Sequence, residues 1–91
     1  MVVVSQDEIL RRVWEELEPE LQEQGYELIE VEYVFQMGRR VLRLFIDRDG
    51  GVTLDDCQAA SRLAGAVLDM KDFIEEQYSL EVSSPGFDRP V

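Results

Sequence analysis

Residues 28–47, LIEVEYVFQMGRRVLRLFID, restrict the fold more than any other stretch. Ile29, Val31, Tyr33 and Phe35 alternate with Leu28, Glu30, Glu32 and Val34. A period of two with one acidic face predicts a strand that buries a single side. Gln36, Met37, Gly38 and Arg39 interrupt the run, and Gly38 supplies the positive φ that a short hairpin turn needs. The return run sets Leu42, Leu44 and Ile46 against Val41, Arg43, Phe45 and Asp47. A two-stranded ribbon is not stable alone in water, so the flanking segments must cover it.

Those segments read as helices. Over about residues 6–24, Leu10, Val13, Trp14, Leu17 and Leu21 form a stripe at helical spacing, with Ile9 at its margin. Ser5 and Glu8 have the spacing of a capping box, and Gly25 ends the helix as a C-terminal cap. Pro19 predicts a kink or a fresh start. Trp14, lying in the stripe, is read as core. After the hairpin, the paired aspartates and glycines of residues 47–57 invite a calcium loop, but counting from Asp47 puts Val52 at the glycine position and Gln58 at the glutamate position. The register fails, and a cap explains more: Thr53 starts a helix and Asp56 completes its box.

The second helix is expected over Leu54–Met70, burying Leu54, Cys57, Ala60, Ala64, Val67 and Leu68, with Gly65 allowing close approach to a sheet. Residues 78–83 alternate as a third strand. The order αββαβ predicts an α+β two-layer sandwich, two helices packed on a three-stranded sheet. The strand order is not legible.

Composition excludes several functions. Ninety-one residues make one domain with a single cysteine, which rules out an internal disulfide framework and fits a reducing compartment. No apolar run approaches the ~20 residues of a membrane span, and the start lacks a signal-peptide pattern, so the chain is read as soluble and cytosolic. There is no histidine to act as a base, no G-x-S-x-G elbow and no phosphate-cradling glycine loop, so an enzyme, a metal site or a cofactor has little support. The layout is similar to bacterial KH-type RNA-binding folds but lacks their G-x-x-G clamp. The net charge of −11 disfavours tight nucleic-acid binding by the domain as a whole and favours a basic protein partner. Residues 1–32 hold ten acids against two bases. Around the hairpin the sign reverses, with Arg39, Arg40, Arg43 and Arg48 against Asp47 and Asp49.

GYELIEVEYV (25–34), RVLRLFID (40–47), GGVTLDDC (50–57) and above all LEVSSPGFDRP (80–90) resemble the N-terminal domain of the bacterial ribosome maturation factor RimP family, in the expected order. The resemblance implies a non-enzymatic, cytoplasmic assembly factor for the small ribosomal subunit, acting with its basic protein number twelve. It also implies a C-terminal small β-barrel domain starting shortly after Pro90, so this monomeric chain is read as an isolated domain. In a structural alternative, that barrel makes every functional contact. Glu15, Glu16, Glu18, Glu23, Glu30, Glu32, Asp55 and Asp56 are the candidate partner-binding acids. Ser83, Ser84, Pro85, Gly86, Asp88, Arg89 and Pro90 match the family motif and are expected to act as a hinge and anchor, with Arg89 reaching Asp55 or Asp56. Phe87 stands where the family often has leucine.

Overall fold

Residues 6–74 and 76–85 are described by a computed structural model. Its elements are α1 (Gln6–Glu23), β1 (Glu27–Gln36), β2 (Arg39–Asp47), α2 (Leu54–Lys71) and β3 (Tyr78–Ser83). This is the expected αββαβ order in an α+β fold with two helices and one three-stranded sheet. The strand order is β1-β2-β3: β1 runs antiparallel to β2, and β3 returns through α2 to lie parallel to β2. Both helices lie on one face of the sheet, α1 over β1 and α2 over β3, and they touch each other.

The covered face explains the apolar pattern. Leu42, Leu44 and Ile46 on the central strand are fully buried, joined by Leu28, Val31 and Tyr33 from β1. From above come Ile9, Val13, Leu17 and Leu21 of α1, and Cys57, Ala60, Ala64 and Leu68 of α2. Small residues on α2 bring its backbone near the sheet. Gly65 is not needed for that approach, because a Cβ built there would meet Leu80 at 3.8 Å, an ordinary contact.

Four local readings change. A β-bulge falls between Leu28 and Glu30, where Leu28 pairs with Ile46 and Glu30 with Phe45. Ile29 is the extra residue, so the inward face begins at Leu28, and Ile29 is 40% exposed rather than aligned with Val31. Phe35 keeps the inward phase yet is 62% exposed, because it lies near the hairpin tip beyond the buried core. On α1, Ile9 is core while Leu10 and Trp14 are half-buried against its margin. Leu54, expected on the buried face of α2, is 71% exposed: it matches the stripe in phase but precedes the turn at which the core starts.

The helix ends follow local chemistry. α1 runs through Pro19 without a break. Proline removes the amide that would bond the Glu15 carbonyl, and both residues are exposed, which leaves that carbonyl toward solvent. Gly25, at φ 87°, closes the helix with Tyr26 N donating to the Leu21 carbonyl and Gly25 N to that of Gln22, a Schellman motif. The expected cap at Ser5 lies outside the described residues. At α2, Thr53 and Asp56 form the predicted box in both directions. Between the strands, Met37 and Gly38 both have positive φ, 50° and 81°, as a two-residue type I′ turn requires.

Candidate functional site

The sheet face away from the helices is crossed by three rows. Glu30, Phe45 and Ser83 form one, Glu32, Arg43 and Glu81 the next, and Val34, Val41 and Ser79 the third. In the middle row Arg43 Nε donates to Glu81 Oε1 at 3.0 Å, and its Nη1 donates to Glu32 Oε1 at 3.2 Å. Its Nη2 donates to Gln36 Oε1 at 3.2 Å. The Glu81 hydrogen bond, opposed in part by burial, raises the guanidinium pKa further, so the ladder stays charged. A cross-strand ladder of this kind fixes the alignment of all three strands.

A second cluster joins three elements at the opposite end of β2. Asp56 accepts from Thr53 N at 2.9 Å, from the Tyr26 hydroxyl at 3.1 Å and from Arg48 Nη1 at 3.1 Å. The Arg48 guanidinium also lies 5.1 Å from the centre of the Tyr26 ring. The backbone bond from Thr53 is the main cause holding the Asp56 carboxyl below its ordinary value, with Thr53, Tyr26 and Arg48 side chains adding to it against partial desolvation. Burial and the neighbouring carboxylate push the Tyr26 phenol up. Gly25 was legible as a helix end, but the link of Tyr26 to Arg48 and Asp56 was not.

The candidate acids are therefore divided by position and by occupation. Glu15, Glu18 and Glu23 lie on α1 and, among the described residues, make no ion pair, as does Glu20 beside them. Glu16 shares the helix but faces Lys71 of α2 at 3.6 Å. Glu30 and Glu32 are on the opposite layer; Glu30 Oε1 accepts from Val31 N at 3.2 Å, and Glu32 belongs to the Arg43 ladder. Asp55 is exposed at the start of α2, while Asp56 is held by its three partners. The structure thus places Glu15, Glu18 and Glu23 on one helix, in a different layer from Glu30 and Glu32 on the sheet.

Of the motif residues, Ser83 ends β3 opposite Phe45, Ser84 is 4% exposed, and Pro85 is exposed at a turn. Gly86, Phe87, Asp88, Arg89 and Pro90, and with them the expected Arg89 contact, lie outside the described residues. Cys57 is buried, and burial followed by the nearby Asp56 charge pushes its thiol up, the reverse of what a nucleophile requires. Among the described residues no group of acids or cysteine converges as metal ligands, and no helix is long and apolar enough to cross a membrane.

The fold and the surviving motif residues meet in one comparison. The sequence matches the RimP N-terminal domain over residues 16–88. The chain belongs to that family. RimP proteins are ribosome maturation factors that act on the small ribosomal subunit, and this chain is such a factor's domain. The RimP match spans all five elements, from within α1 to beyond β3.

Proposed function

We propose that this domain serves small-subunit maturation as a non-enzymatic binding module in the cytoplasm, presenting the acidic outer side of α1 to a basic small-subunit protein. Membership of the RimP family supplies the process, and protein number twelve of the small subunit is the partner that the family resemblance favours. The observation that carries the surface is the distribution of unspent charge. Glu15, Glu18, Glu20 and Glu23 make no ion pair among the described residues, while Ile9, Val13, Leu17 and Leu21 hold the other side of the helix in the core. Uncompensated like charges raise the energy of the free domain, and a docking cation relieves part of it. Arg43 and Arg48 are each engaged by carboxylates. On α1 itself Arg12 lies over the Phe73 ring, while exposed Arg11, one turn before Glu15, offsets part of the field.

A pull-down of ribosomal proteins on this domain alone tests the reading. Capture of a basic small-subunit protein at about 50 mM salt, lost at about 300 mM where screening shortens the field, supports it. No capture at either salt transfers the contacts to the C-terminal barrel that the family resemblance implies, and leaves this domain a structural half.

A further inference from the structure

The hairpin tip departs from the rest of the surface in both charge and polarity. Residues 35–40 carry two arginines and no acid in a chain of net charge −11. Phe35 is largely exposed, and Met37 is 99% exposed at the apex of the turn. Beside them a groove is lined by Arg39, Arg40, Gln77, Tyr78 and Ser79, none of them acidic. Arg39 makes no ion pair among the described residues. Arg40 is held at the groove by three neighbours: Glu76 Oε2 at 3.4 Å, the Phe35 ring at 5.1 Å and the Tyr33 ring at 5.6 Å. Glu76 cancels part of the Arg40 charge, which leaves Arg39 as the dominant cation.

We propose that this tip is an RNA contact: Arg39, with Arg40, takes a backbone phosphate in the groove, and Phe35 offers its ring to an unstacked base. The proposal rests on the ribosomal role above, since the particle presents RNA beside protein. Single-stranded RNA is the occupant that matches both halves of the patch, because it brings a negative phosphate and an apolar π-face within one nucleotide. An acidic peptide satisfies the arginines but leaves Phe35 and Met37 without a partner. An apolar partner satisfies Phe35 and Met37 but leaves Arg39 desolvated and unpaired. The type I′ turn sets the apex without a long loop, so the residues are displayed on a short, defined ribbon. The contact is local and weak by itself, since the acidic remainder of the domain repels the same strand.

The test is an amide-shift titration of the isotopically labelled chain with an oligouridine of about a dozen nucleotides, a length that spans a typical single-strand site, in low salt. The expected shifts cluster at residues 35–41 and 77–79 and leave α1 unmoved. Phe35→Ala and Arg39→Glu should each weaken binding at least roughly fivefold. Both positions are exposed, and unchanged signals elsewhere confirm that the variants are folded. The absence of shifts at millimolar RNA, or shifts centred away from the tip, overturns the proposal. Equal affinity of the tip for polyglutamate also overturns it and reassigns the patch to acidic protein. The titration contains no ribosomal protein, so it fails or succeeds independently of the α1 reading.

Discussion

Met37 shows most plainly how a single residue departs from local preference. Its φ of 50° is a conformation that costs an L-residue other than glycine, asparagine or aspartate roughly 1–2 kcal/mol, and a side chain 99% exposed recovers none of it within the domain. Met37→Asn should therefore stabilise the chain by about 1 kcal/mol, read as a higher urea midpoint with an unchanged slope; a lower midpoint would mean that the turn is not of this type. Gly65 is a quieter case. Its φ is not positive, and a new methyl group would find Leu80 at van der Waals distance, so Gly65→Ala should gain most of the roughly 1 kcal/mol of helix propensity that glycine forgoes. A loss of thermal stability would reveal a close packing requirement that the 3.8 Å separation does not contain.

At the scale of elements, what the sequence made legible was whatever depends on neighbours a few residues away. The α2 start was legible because Thr53 and Asp56 are three apart, and α1 because its apolar stripe repeats within a turn. The bulge was not, because Leu28 and Ile29 are both apolar and only the pairing with β2 decides which of them turns inward. Strand order likewise depends on the parallel pairing of β3 with β2, across the whole of α2. The clamp that joins α1's end, β2 and α2's start is of the same kind, since Tyr26 and Asp56 are thirty residues apart. It has a pH signature. The Asp56 carboxyl is held below its ordinary value of 3.8 in the fold, so its stabilisation is complete above that value and is lost as pH falls through the lower folded value. Asp56→Asn should be less stable than wild type near neutrality, and the difference should shrink as pH falls below about 4, followed by urea midpoints across the acid range. Parallel curves for the two proteins would show that Asp56 contributes nothing through its charge.

Over the whole molecule, composition sets the net charge of −11 but not its arrangement. Eight acids looked equivalent as partner ligands, yet Glu32 is engaged by Arg43 eleven residues on and Glu16 by Lys71 on the other helix. Only the fold separates acids already engaged from those left to solvent, and it leaves a run of the latter along α1. The hairpin arginines were visible as a local reversal, but the exposure of Phe35 depends on where the core ends, which no periodicity reports. The central claim, that α1 steers a basic small-subunit protein, is tested most directly by association rates measured with Glu15, Glu18 and Glu23 all changed to lysine. The account predicts that the folded variant associates at least tenfold more slowly than wild type at about 50 mM salt, and that the two rates converge near 300 mM as the screening length falls. Rates that ignore both the reversal and the salt would contradict it.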